Sequence, residues 1–263
     1  MTAPLAGLTL VVTRPRRQAG PFIERATSAG ARCIALPAIE IETLKLSVTD
    51  RERLAPDEHD WAIYTSANAV EASLAQLPPP GRCRVAAVGR ATARALESHG
   101  IVVHALPEGR PDTEGLLALP VFAALRGRRI LIVRGVGGRE LLREQLQGRG
   151  AVVNVAEVYR RDAAPADPAA VAALASALAV AAKCVVIVVT SIEVLDGLLG
   201  LLPPDLARQV RDCTLLLPGL RVASAARERQ WRGTVVASSS AEDSVMLRTL
   251  CDHLAAGRAT SSA

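Results

Sequence analysis

Aromatic side chains are nearly missing: Phe, Tyr and Trp together make up 2% of the 263 residues. So few rings cannot supply the stacking platforms on which proteins lay out nucleotide bases. No dense basic run stands in for them. The net charge of +5 is spread thinly along the chain, which favours a small anionic partner over nucleic acid. Cys33, Cys83, Cys184, Cys213 and Cys251 are odd in number and show no metal-ligand or redox spacing, so they read as free thiols of a reducing compartment. His59, His99, His104 and His253 form no cluster, and no metal is expected. Apolar runs long enough for a membrane are lacking too. Leu8–Val12 is short and is followed by Arg14, Arg16 and Arg17, which does not read as a signal peptide. Ala169–Val189 is interrupted by Lys183 and is mostly alanine in its first half, so it reads as a helix followed by a strand. A cytoplasmic monomer with no membrane partner is expected, and only Gly257–Ala263 reads as a frayed tail.

What the chain has in quantity is aliphatic residues. Half of it is hydrophobic, enough for one large α/β domain or two of roughly 120 residues. Laid over itself, the sequence repeats three blocks in the same order, each recurring roughly 120–130 residues later. Leu8–Pro15, with Gly30 and Ala31 after a helix-like stretch, matches Arg129–Gly135 with Gly150 and Ala151. Trp61–Val70 matches Val186–Leu195, and Val85–Leu96 matches Leu215–Ala226. Each block is a short aliphatic run, a turn, then an amphipathic stretch. That is the pattern of parallel strands covered by helices on both faces. Ala38–Leu44 and Val153–Arg161 differ, because they alternate apolar and polar residues; they read as strands with one wet face that connect two lobes.

In such sheets ligands bind beyond the carboxyl ends of the strands. Six turns occupy those positions: Thr13–Pro15, Thr65–Ser66, Gly89–Thr92, Arg134–Arg139, Thr190–Ser191 and Gly219–Arg221. They carry hydroxyls, glycines and arginines. Ser66 and Ser191 stand where helix caps belong, and free N–H groups at a helix start attract anions. Arg14, Arg134, Arg139 and Arg221 add forked donors suited to carboxylates. No turn carries a Cys–His, Ser–His or paired-carboxylate arrangement. The Gly135 loop has Glu140 where a dinucleotide fingerprint requires glycine, and no Gly–Lys–Ser/Thr occurs. The composite is a hydroxyl-and-arginine cradle for a polyanion. Each part has a plainer employment as well. A Thr–Ser pair caps a helix, a turn arginine sits in solvent, Gly135, Gly137 and Gly138 permit a tight turn, and Tyr159 packs.

Val12–Pro15, Asp60–Val70, Val88–Ala93, Thr113–Leu117, Gly138–Arg139, Gly148–Val152, Val158–Arg161 and Val189–Ser191, in that order, resemble the uroporphyrinogen-III synthases over about residues 8–250. The resemblance implies two flavodoxin-like α/β lobes with parallel sheets, joined by a two-stranded β-ladder. One lobe would hold residues 1–37 plus 162–263 and the other 40–158, with linker strands at about 38–45 and 153–161. It implies a cofactor-free lyase that closes hydroxymethylbilane, a linear tetrapyrrole polycarboxylate, with loss of water and inversion of the last ring. Tyr159 matches the family tyrosine that assists the leaving hydroxyl. Thr92 matches the threonine of the Val-Gly-x-x-Thr-Ala motif, and Thr190 and Ser191 match the Thr–Ser of the second half. The substrate contacts expected are Arg14, Thr65, Ser66, Gly89, Thr92, Arg134, Gly138, Arg139, Thr190, Ser191 and Arg221. One departure stands out: where many members repeat Gly-x-x-Thr-Ala, this chain has Gly219–Ala223 with Val222 in the hydroxyl position. The competing expectation is a non-catalytic two-lobed sensor for an anionic small molecule.

Overall fold

The computed structural model describes residues 3–110, 112–138 and 140–261, with nothing to be said of the side chains from 258 onward. It falls into two compact units, Met1–Glu40 with Asp162–Ala263, and Ile41–Arg161. The strands, in chain order, are β1 Thr9–Val12, β2 Arg32–Ala35, β3 Ile39–Thr43, β4 Trp61–Tyr64, β5 Arg84–Ala87, β6 Arg129–Gly135, β7 Val152–Ala163, β8 Val185–Val188, β9 Thr214–Pro218 and β10 Val235–Ser238.

The first unit is built on a sheet ordered β10-β9-β8-β1-β2, with parallel pairing throughout. Counted within the unit, that is the doubly wound flavodoxin order 2-1-3-4-5. Its strands are aliphatic on both faces because both faces are covered. Leu10, Val12, Val186, Val188 and Leu216 pack with Phe22, Met246 and Leu250, while Val11, Ile187, Leu215 and Leu217 are equally buried. Asp167 caps the helix Pro168–Ala181 through the Ala169 N–H, with proline in its first turn where no N–H is needed. The chain then enters β8, so the apolar stretch divides into helix and strand. No helix among the described residues is long and apolar enough to cross a membrane. The tail differs from expectation, since the last helix runs Asp243–Ser261. Gly257 weakens a helix without stopping it, and no proline follows.

The second unit carries the sheet β3-β7-β6-β4-β5, with β5, β4, β6 and β7 parallel. Alternate residues of each strand feed two cores. Trp61, Ile63, Ile130 and Ile132 pack with Leu116, Phe122 and Leu146 on one side. Ala62, Tyr64, Leu131 and Val133 pack with Val70, Leu96 and Val158 on the other. β3 and β7 are the two alternating segments. The Leu44 N–H donates to the Val158 carbonyl and the Ala164 N–H to the Ala38 carbonyl, so the pair is antiparallel. Ile39 is buried while Glu40 and Glu42 are exposed. The boundary between units falls within both strands, and the chain passes from one unit to the other along this ladder.

Candidate active site

Parallel strands end together, so each unit gathers three of the predicted turns at one end of its sheet. The first unit holds Thr13–Pro15, Thr190–Ser191 and Gly219–Arg221; the second holds Thr65–Ser66, Gly89–Thr92 and the turn after Arg134. Strand order reverses between β1 and β8 in the first unit and between β4 and β6 in the second. Loops diverge at such points and leave a crevice for ligand.

A threonine stitches each of these switch points. Thr13 Oγ1 donates to the Val188 carbonyl at 2.6 Å across β1 and β8, and Thr65 Oγ1 donates to the Val133 carbonyl at 3.2 Å across β4 and β6. The next hydroxyls cap the following helices. Ser66 Oγ accepts from the Ala69 N–H at 3.1 Å and Ser191 Oγ from the Val194 N–H at 3.2 Å. Each such cap stabilises its helix by about 1 kcal/mol. Thr65 and Ser66 therefore keep only acceptor or shared capacity for a ligand. The helix Arg90–Ser98 is different: its cap, Gly89, has no side chain to offer, and its first N–H groups remain open to an anion. Thr92, in that first turn, is buried. The helix Gly219–Glu228 likewise starts without a side-chain cap. Gly219 takes a positive φ of 73° there, Arg221 is exposed, and Val222 is buried in the core.

Two of the predicted arginines have their charge matched within the protein. Arg14 is buried, pairs with Asp243, donates to the Ala241 carbonyl at 3.3 Å, and lies 4.7 Å from the centre of the Phe22 ring. Arg134, also buried, reaches Glu140 at 2.6 Å, Glu157 at 3.0 Å and the Gly138 carbonyl at 3.2 Å. Its hydrogen bond holds the Glu140 carboxyl below the usual carboxylate range. A buried guanidinium needs such partners, since an unmatched buried charge is strongly unfavourable. Arg134 thus shapes the Gly135–Gly138 turn, where Gly137 has a φ of 72°. Arg139 lies outside the described residues.

Tyr159 ends the matched part of β7 beside this turn, after a register shift between Arg134 and Gly135. Its ring is buried, and its hydroxyl lies 3.1 Å from Ser66 Oγ and accepts from Arg161 Nη2 at 3.0 Å. Gly135 is required by that ring: a Cβ at 135 would stand 2.6 Å from Tyr159 Cζ. The structure therefore brings Tyr159, Ser66 and the Gly135 turn together, with Thr65 adjacent in sequence. Arg161 was not among the expected site residues. Strand alternation carried the signal, since residues 159 and 161 share a face.

The described residues hold no group of three or more His, Cys, Asp or Glu placed for a metal. Burial pushes the Cys83 and Cys213 thiols up to about 11, so neither is a nucleophile at neutral pH.

The family profile described as uroporphyrinogen-III synthase HemD matches residues 21–246. The uroporphyrinogen-III synthase of Salmonella typhimurium is 35% identical over 250 residues, covering 92% of this chain and 100% of that one. That of Escherichia coli is 33% identical over the same extent. The chain belongs to the uroporphyrinogen-III synthase family. Among solved structures, a mutant uroporphyrinogen III synthase of Thermus thermophilus superposes with a TM-score of 0.62 at 21% identity, covering 94% of this chain and 99% of that one. The Helicobacter pylori enzyme gives 0.61 at 16% identity, covering 93% and 99%; these likenesses extend to the fold.

Proposed function

We propose that this chain is a cytoplasmic lyase that closes hydroxymethylbilane into uroporphyrinogen III, inverting the last ring and releasing water, in tetrapyrrole biosynthesis. The observation that carries the chemistry is the Tyr159 hydroxyl, held between Ser66 and Arg161 at the crevice end of the second unit. Loss of the terminal hydroxyl needs one proton donor, and a phenol on a fixed strand supplies it. The pyrrole nitrogen lone pair drives the C–O bond apart and leaves an azafulvenium. That cation also closes unaided to the uninverted isomer, so the protein's task is to choose a geometry. The last ring must be bent so that its substituted α-carbon attacks first, through a spiro intermediate. Each tenfold preference between the two closures requires about 1.4 kcal/mol between their transition states.

Side-chain carboxylates supply the handles for that bending. In this reading Arg221, Thr92, Thr190, Ser191, Gly89 and the open N–H groups of the helices Arg90–Ser98 and Gly219–Glu228 bind them, with Arg139 as a further contact. Arg14, Arg134 and Gly138 hold the turns in shape. The chemistry transfers protons and breaks a C–O bond without moving electrons to an acceptor, so it calls for no redox cofactor.

The test feeds the bilane from a coupled reaction and separates the type I and type III rings by chromatography. The protein should give type III in excess. Tyr159→Phe should lower kcat by about 100-fold or more with KM changed little and the fold intact. Type I alone, at the uncatalysed rate, would instead favour the binding-only sensor.

A further inference from the structure

Arg161 stands two residues beyond Tyr159 on the same face of β7. Its Nη2 donates to Tyr159 Oη at 3.0 Å, and its guanidinium carbon lies 5.5 Å from the centre of the tyrosine ring. The ring itself is buried, whereas Ser66 is half-buried and Arg161 exposed, so the two partners of the hydroxyl lie nearer solvent than the ring does. Hydrogen-bond accounting follows from these contacts. A phenol oxygen has two acceptor positions and one proton. An arginine donates only, so Arg161 always fills one acceptor position. Ser66 Oγ accepts from the Ala69 N–H at 3.1 Å, and its own proton can fill the second. The phenol proton is then left to point away from both partners.

We propose that Arg161 is a positioning residue for the ring closure: it aims the Tyr159 proton at the departing hydroxyl and balances the charge left behind. The proposal rests on the activity argued above. In the step, the proton moves from Tyr159 Oη to the terminal hydroxymethyl oxygen. The C–O bond breaks with its electron pair leaving in water, and the positive charge appears on the azafulvenium. The phenolate forms 3.0 Å from the guanidinium, whose positive charge offsets the negative one that develops. It recovers its proton when the newly bonded pyrrole carbon loses its own and the ring becomes aromatic again.

A double-mutant cycle tests this. Wild type, Arg161→Gln, Arg161→Lys, Tyr159→Phe and the double variant Tyr159→Phe with Arg161→Gln are compared for kcat, KM and the type III to type I ratio. Arg161 is exposed, so its variants should melt close to wild type. Arg161→Gln should lower kcat about tenfold, less than the roughly 100-fold or more lost with a preorganised donor in a water-excluded site, because Arg161 is exposed, with KM within about twofold. Arg161→Lys, which keeps a cation and a donor, should recover part of that loss. The double variant should be no slower than Tyr159→Phe alone, because the arginine acts through the phenol. Losses that multiply, or an effect confined to KM, would overturn the proposal and leave Arg161 as a substrate contact. Wild-type protein that makes no type III ring would overturn both this role and the activity it serves.

Discussion

Arg14 and Arg221 follow strands of the same sheet and look alike in sequence, yet they do different work. Arg14 is buried against Asp243, which lies 229 residues away; Arg221 is exposed. Removing one partner of a buried pair strands the other, and with Asp243 partly solvated the loss for Arg14→Ala should be about 1–3 kcal/mol. That lowers Tm by several degrees in thermal melts. Arg221→Ala should leave Tm nearly unchanged and raise KM for the bilane; an unchanged KM would remove it from the site. No sequence pattern separates these two arginines, because the counterion that decides the matter arrives through the tertiary fold. His59 gives a pH signature at the same scale. Its ring bonds the Ala55 carbonyl at 3.0 Å and Asn154 at 2.9 Å, and burial moves its pKa below the ordinary value. The unfolded chain therefore takes up a proton near pH 6.5 while the folded one does not. Stability contributed by the neutral ring is complete above that pH and is lost as pH falls toward the lowered folded value. Denaturant titrations from about pH 7.5 to about pH 5 should show this slope, and His59→Gln should flatten it.

At the level of elements, Tyr159 is placed by a contact between strands. Val136 N–H donates to the Tyr159 carbonyl at 2.9 Å, and the ring lies over Gly135, where no side chain fits. Gly135→Ala should displace the ring rather than unfold the sheet. Overpacking of this kind costs about 1–3 kcal/mol, and misplacing the phenol by a fraction of an ångström should reduce kcat about 10–100-fold. An active Gly135→Ala protein with normal kcat would show that the ring position is not critical. This contact also marks what the sequence could and could not reveal. Strands, turns and the Ser66 and Ser191 caps were legible because each depends on neighbours within a few residues. The alternating segments announced β3 and β7 through their one wet face. Gly135 read as a turn glycine, since its partner Tyr159 lies far along the chain and only strand pairing brings them together. Arg161 was within reach of the same alternation that marked the strand, since residues two apart share a face; its hydrogen bond to the Tyr159 hydroxyl was not.

Over the whole molecule, the repeated blocks explain why each of the two units presents turns of the same chemistry at the carboxyl end of its own parallel sheet. Internal pairing removes Arg14 and Arg134 from the charge available to a ligand, so attraction of a polycarboxylate falls to exposed cations such as Arg221, to helix starts and to the net charge of +5. Backbone N–H groups bind at contact distance and are little affected by salt, whereas net charge acts through solvent and is screened beyond about 8 Å at physiological ionic strength. The two contributions therefore separate in a salt titration. Raising ionic strength from about 0.05 to about 0.5 M should increase KM by a factor of a few, while kcat and the type III to type I ratio stay constant, because the closure is decided after the substrate is seated. A ratio that drifted toward type I with salt would mean that screened, long-range charge holds the bent conformation, and would shift the selectivity from the turns to the surface.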